Sequence, residues 1–287
     1  MSGQGKIAVI TGASAGVGLA AATALAQDGW RIIGIGRDAA RSAAAEAAIR
    51  AAAPGAEVTM LRGDLALMGD AARLADEVAG LTDRIHLLAN NAGGMIPEPA
   101  VTAEGLEACF AGNHLGPFVL TTRLIPLLRR AAAESAPGTV RVVNTSSDGS
   151  EMIPGLNWDD LQDPLANSPG AAYCSGKLAN VLFAKALAAR LGGEGIMAFS
   201  FHPGTVASNF FSHVPEATAK HTAGLAKITP EDGAATLLWL VTSDAGALEN
   251  GGYFYQCAPR DPNPTALDPA NAERLWSLSE QLVEGLI

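Results

Sequence analysis

Tyr173 and Lys177 stand four residues apart in Tyr173-Cys174-Ser175-Gly176-Lys177. On a helix that spacing puts both side chains on one face. A free phenol, with a pKa of roughly 10, is a poor base at neutral pH. A cation beside it stabilises the phenolate and lowers that value. Such a pair can pass a proton to or from a substrate oxygen, although a phenol and an ammonium also meet by chance on helix surfaces. A second stretch with chemical meaning is Thr11-Gly12-Ala13-Ser14-Ala15-Gly16-Val17-Gly18. Glycines in a turn between an apolar run and a helix let the backbone approach a pyrophosphate, and the helix start offers free N–H groups. Two hydroxyls, Ser146 and Ser147, close another apolar run, and Asn113 sits mid-helix, where asparagine is locally unfavourable.

The elements that must position these residues can be read from the alternation of apolar runs and helical patterns. Strands are expected at Lys6–Thr11, Arg31–Gly36, Glu57–Leu61, Ile85–Ala89, Thr139–Thr145, Ile196–Phe201 and Gly252–Gln256. Helices are expected at Gly16–Ala26, Asp38–Ala52, 69–80, 103–130, Gly170–Leu191, from about Thr229 with Pro230 in its first turn, and Pro269–Leu286. Short continuous apolar strands alternating with helices imply parallel strands buried on both faces, joined by right-handed crossovers. The expected fold is α/β, a Rossmann-type doubly wound parallel sheet of about seven strands with helices on both faces. Residues 1–287 read as one domain, with long loops at about 149–170 and 205–229.

Composition narrows the function further. Hydrophobic residues make up 48% and charged residues 17%, which suits a large core rather than disorder. The net charge is −10 and no long basic run occurs, so no nucleic-acid partner is expected. Three cysteines without CxxC spacing and five scattered histidines give neither a disulfide framework nor a metal site. Met1–Lys6 lacks the apolar stretch of a signal peptide, and no run reaches the roughly 18 apolar residues of a membrane span. A cytoplasmic protein is expected.

Four motifs, in order, resemble the short-chain dehydrogenase/reductase family along the whole chain. They are the Thr-Gly-xxx-Gly-x-Gly turn, Asn90-Asn91-Ala92-Gly93, the Tyr173–Lys177 pair and Pro203-Gly204. The resemblance implies a nicotinamide cofactor held by Gly12, Ser14, Gly16, Val17, Gly18, Asn91, Ala92, Gly93, Pro203, Gly204 and Val206, together with Tyr173 and Lys177. Thr205 and Ser208 are further candidate contacts. It implies that Asp64 and Leu65 flank the adenine. It implies a catalytic set of Asn113, Ser147, Tyr173 and Lys177. Tyr173 is then the proton donor in reduction, Lys177 its partner and a ribose ligand, Ser147 a hydrogen-bond donor to the substrate oxygen, and Asn113 part of a proton relay.

Gly36 occupies the position where the family usually has an acidic residue, and Arg37 follows it. An arginine there pairs with a 2′-phosphate, which favours NADP(H); Asp38 facing the ribose would favour NAD(H) instead. The stretch Trp158-Asp159-Asp160-Leu161, the surroundings of Tyr173 and the ending Glu273–Glu280 resemble the retinol dehydrogenase branch, though the anchor of its animal members is missing. A lipophilic alcohol, aldehyde or ketone is the implied substrate, with Met152, Ile153, Leu156, Trp158, Phe210 and Phe211 as candidate pocket walls and 213–229 as a lid. A silent cofactor-binding regulator, or an epimerase or dehydratase of the same fold, are the competing readings, and the possibility of a homo-oligomer is left open.

Overall fold

A computed structural model describes residues 3–162, 168–208, 210, 214–222 and 224–287. It places eight strands in one sheet: β1 (Ile7–Thr11), β2 (Arg31–Gly36), β3 (Val58–Arg62), β4 (Leu87–Asn90), β5 (Val140–Thr145), β6 (Ile196–His202), β7 (Tyr253–Tyr255) and β8 (Ala258–Pro259). Their order is β3-β2-β1-β4-β5-β6-β7-β8, parallel except for the final antiparallel pair. The expected doubly wound sheet is present, with one strand more than the seven expected. The extra strand is two residues long and follows a turn through Gln256 and Cys257, both at positive φ (50° and 58°). Neither is a glycine or asparagine, so the turn carries no ordinary signal.

The helices are α1 (Gly16–Gln27), α2 (Ala39–Ala52), α3 (Met68–Leu81), α4 (Ala108–Phe110), α5 (Gly116–Ala133), α6 (Pro169–Leu191), α7 (Glu216–Thr222), α8 (Pro230–Thr242) and α9 (Pro269–Val283). Strand residues alternate between the two sheet faces, as their period of two demands. Ala8, Ile10, Ile32 and Phe201 pack with Leu25 and Leu237 in one core. Val9, Ile33, Leu88 and Val142 pack with Leu120, Leu182 and Phe183 in the other. Both faces are buried, which is why the strands read as unbroken apolar runs. In the second core α9 lays Trp276 against Phe118 and Phe183, with ring centroids 5.0 and 5.9 Å apart.

One expected helix is corrected. The stretch 103–130 is not continuous: helix begins at Ala108 and passes through a π-turn at Ala111–Leu115 before α5. Glu107 starts it by accepting hydrogen bonds from the Cys109 and Phe110 amides. A π-turn inserts one residue into a helix without disturbing its apolar pattern for long, so the periodicity passes over it unseen.

Strand order reverses direction between β1 and β4, and the crevice beyond their carboxyl ends is where open α/β sheets bind ligands. The side-chain oxygen of Thr11, at the end of β1, accepts from the Asn91 and Ala92 amides, both at 2.9 Å, and donates to the Ala89 carbonyl at 3.3 Å. Asn91 Nδ2 returns a bond to the Thr11 carbonyl at 3.0 Å. The two strand ends are thereby tied into one rigid floor.

Candidate active site

A cavity of about 1240 Å³ opens over this floor and extends from the glycine turn to the segments that follow β5 and β6. At one end lies the Thr11–Gly18 turn. Gly12 and Gly16 have φ of 69° and 54°, a region that side chains disfavour. A Cβ on Gly18 would stand 2.4 Å from the Gly12 carbonyl oxygen and 2.5 Å from Asn91 Nδ2. The first turn of α1 follows with no side-chain cap and no acidic residue, so its N–H groups and dipole are available to an anion. These features fit a pyrophosphate. Gly18→Ala is expected to lower stability by about 1–3 kcal/mol through overpacking against backbone and to weaken nicotinamide cofactor binding strongly. Urea unfolding and fluorescence titration check this; wild-type affinity in the variant would remove Gly18 from the cradle.

At the far end of β2, Gly36 has no room for a side chain: a Cβ would meet Ser42 Oγ at 2.4 Å and Ser14 at 3.1 Å. Arg37 projects from the next position, 69% exposed, and pairs with Asp64 Oδ2 at 3.6 Å. Asp38 instead caps α2, its Oδ1 accepting from the Arg41 amide at 2.8 Å. Asp64 Oδ1 accepts from the Ala66 amide at 3.0 Å, which shapes the turn after β3. Arg37, Arg41, Asp64 and Leu65 all face the cavity.

In the middle stand the residues with proton chemistry. α6 starts at Pro169, capped by Ser168, and carries Tyr173 and Lys177 one turn apart on its cavity side. Lys177 Nζ lies 5.5 Å from the Tyr173 ring centroid and donates to the Thr145 carbonyl at 3.2 Å. Lys177 is 3% exposed, and burial pulls its pKa from the usual 10.5 down to about 8. Burial acts on Tyr173 in the opposite direction: it pushes the phenol above its ordinary 10, against a hydrogen bond with Ser147 that pulls it down. The sequence reading expects the lysine to lower that value; without a cofactor, desolvation of the phenolate outweighs any such effect.

Ser147 follows β5 and faces the cavity, its Oγ accepting from the Gly149 amide at 3.1 Å and donating to Asp148 Oδ1 at 3.0 Å. Ser146, the competing hydroxyl, is spent on the Lys177 carbonyl at 2.7 Å and is 1% exposed. Asn113 sits in the π-turn. Its Nδ2 donates to the carbonyls of Gly94 and Cys109, both at 2.8 Å, and its Oδ1 accepts from the Gly94 amide at 3.1 Å. Gly93 fits between them only as glycine, since a Cβ would lie 2.4 Å from Asn113 Oδ1 and 3.0 Å from Lys177 Nζ. Asn113, Ser147, Tyr173 and Lys177 thus gather around one space. Cys109 and Cys174 border it, and burial raises their thiols to about 12 and about 11, so both stay protonated.

Pro203, Gly204, Thr205, Val206 and Ser208 line the cavity after β6. On the substrate side so do Met152, Ile153 and Phe210, with Phe210 5.4 Å from the Tyr173 ring. Met95, Thr218 and Leu225, which the sequence did not single out, join them. Leu156 and Trp158 are corrected: Leu156 is core, and Trp158 packs on that core beneath Arg274. Both belong to the wall that supports the loop rather than to its inner surface. Phe211 and His213 lie outside the described residues. Among the described residues no cluster of histidine, cysteine or carboxylate could hold a metal, and no helix is long and apolar enough to cross a membrane.

Known proteins resemble this chain in sequence and in fold. A family model described as short chain dehydrogenase matches residues 6–219. Mouse Retinol dehydrogenase 11 is 35% identical over 97% of this chain and 86% of its own length. Human Retinol dehydrogenase 12 is also 35% identical, with the same coverage. A crystal structure of a Mycobacterium Paratuberculosis protein superposes with a TM-score of 0.76 at 30% identity, covering 99% of this chain and 95% of that one. The RhlG/NADP active-site complex of Pseudomonas aeruginosa gives 0.70 at 29% identity, covering 88% and 95%. The match to the family model and the identity to these relatives mean that the chain belongs to the short chain dehydrogenase family, on its retinol dehydrogenase-like branch, and is a nicotinamide-dependent oxidoreductase.

Proposed function

We propose that the protein interconverts a lipophilic alcohol and its aldehyde or ketone with NADP(H), with Tyr173 as general acid and base. The observation that carries this reading is the position of the Tyr173 phenol: hydrogen-bonded to Ser147, one helical turn from a buried ammonium, and open to a cavity whose other end is the glycine cradle. When bound, the nicotinamide supplies or accepts hydride. The protein supplies position and a proton. Tyr173 gives its proton to the carbonyl oxygen on reduction, and Ser147 hydrogen-bonds the same oxygen as charge develops there. Lys177 holds positive charge beside the phenol as its proton leaves, and Asn113 completes the polar group behind the lysine. Burial keeps Tyr173 protonated, the form that reduction requires.

The pyrophosphate falls to the Gly12–Gly18 cradle and the start of α1. Asn91, Ala92, Gly93, Pro203, Gly204 and Val206 flank the nicotinamide half. The described residues after β5 and those after β6, α7 among them, form the substrate side, where Met95, Met152, Ile153, Phe210 and Leu225 offer apolar walls. The wild-type protein, given NADPH and a panel of aldehydes and ketones, is expected to consume reduced cofactor. Tight NADPH binding without turnover on any of them would instead favour a regulatory role.

Support for NADP(H) comes from the end of β2. No carboxylate can stand at position 36, Asp38 is committed to its helix, and Arg37 and Arg41 both face the cavity. Arg37 must leave Asp64 to meet a 2′-phosphate, and an exposed pair at 3.6 Å holds it weakly. Arg37→Ala is expected to lower the NADPH-to-NADH ratio of kcat/KM by about tenfold or more, the scale of one charge-assisted phosphate contact. An unchanged ratio would take Arg37 out of the phosphate site.

A further inference from the structure

The carboxylate of Asp148 has no place in the mechanism above, yet it stands next to Ser147 and lines the same cavity. It is 55% exposed on its side chain. Arg260 acts on it only through space, without a hydrogen bond. His202, 7% exposed, accepts from the Asp148 amide through Nδ1 at 3.3 Å and turns Nε2 toward Oδ2 at 3.8 Å. Burial holds that imidazole below its usual 6.5, so it is neutral at pH 7. Arg260 is bound through both oxygens of Glu151, each at 2.7 Å, and stacks over Tyr255. Lys177 gives its bond to the Thr145 carbonyl. Among the described residues no cation is bonded to Asp148. A carboxylate in a recess with apolar walls loses water when a substrate enters, and that loss is unfavourable unless a donor replaces the water.

The single proton of Ser147 sharpens the point. It is held by Asp148 Oδ1 at 3.0 Å, while Oγ itself accepts from the Gly149 amide at 3.1 Å. A plain carbonyl must take that proton away from the carboxylate. A substrate with a donor on the carbon beside its carbonyl compensates for this exchange: its donor occupies Oδ1 as Ser147 turns its proton to the carbonyl oxygen. The spacing of Oγ and Oδ1 suits two polar atoms on adjacent carbons. We propose that Asp148 is a specificity-determining residue that selects α-hydroxy and α-amino carbonyl compounds, and disfavours α-keto acids. This rests on the reductase reading above.

The test compares a plain methyl ketone with the α-hydroxy ketone, the α-amino ketone and the α-keto acid of equal chain length, using wild-type protein and NADPH. The donor-bearing ketones are expected to exceed the plain ketone in kcat/KM by about tenfold or more, with the keto acid below it. In Asp148→Ala the preference should fall to near unity. In Asp148→Asn it should persist for the hydroxyl, whose proton an amide oxygen still accepts, and fall for the ammonium. No wild-type preference, or a preference retained in Asp148→Ala, overturns the inference; a carboxylate serving only the short helix at 148–151 would change stability and leave the ratio alone. If no carbonyl turns over, the reductase reading fails by itself. Calorimetric binding of the matching amino alcohol then decides on Asp148: weaker binding in Asp148→Ala supports it, and equal binding overturns it.

Discussion

Tyr173→Phe is expected to lower kcat for a reducible carbonyl by about 10²–10⁴-fold, the range a positioned proton donor contributes, while the Kd for NADPH stays unchanged. The substitution removes one oxygen. The ring keeps its contact with Phe210 and its place below the Lys177 ammonium, so the cradle and the floor are untouched. What disappears is the proton that burial keeps on the phenol and its bond with Ser147. Single-turnover rates with saturating NADPH separate the chemical step from cofactor binding. A variant within tenfold of wild type would mean that another group, or water, delivers the proton.

Lys177→Met carries the second large expected effect, and it runs in two directions. Turnover should fall at least about 10²-fold, because charge no longer stands beside the phenol. The protein without cofactor should nonetheless become more stable at pH 7. The drop of the lysine from 10.5 to about 8 corresponds to about 3 kcal/mol of unfavourable burial of the ammonium. The variant also forfeits the bond to the Thr145 carbonyl, worth about 1 kcal/mol, so the net gain is about 2 kcal/mol. The pH dependence follows from the sign of the shift. Between about 8 and 10.5 the unfolded chain holds this proton and the folded chain does not, so wild-type stability gains from rising pH there and the gap to the variant closes. Urea unfolding at pH 7 and pH 10 measures it. A variant less stable at pH 7, with a gap that does not narrow, would show that the ammonium is not held against its solvation.

Much of this was legible because it depends on short-range chemistry. Apolar runs marked the buried parallel strands, and β2 matches its expected limits, Arg31–Gly36, residue for residue. The glycine turn and the Tyr173–Lys177 spacing follow from what a backbone and a helix face allow. The choice of Ser147 over Ser146 came from resemblance, and the physical reason is tertiary: the Ser146 hydroxyl is used by a carbonyl 31 residues away in sequence. Pairings of distant residues were out of reach. Arg37 and Asp64 were both singled out, without any sign that they meet. Asp148 and His202, 54 residues apart, gave no signal at all. The place of Leu156 and Trp158 was undecided in the sequence because an apolar side chain in a loop looks the same whether it faces a ligand or a core.

The π-turn at Ala111–Leu115 has a wider consequence. It makes the helix behind the site two rotors on one shaft, offset by the single extra residue, or about 100°. The α5 rotor is locked to the sheet and α3 through Leu120, Leu124 and Leu128. The short α4 segment ahead of it answers to the loop it clasps at Gly94 and to α6. Asn113 sits at the coupling between them. Phe110 and Ala111 of the front segment belong to the same core as α5, so a deletion that healed the helix would have to turn them, and Asn113 with them, by about 100°.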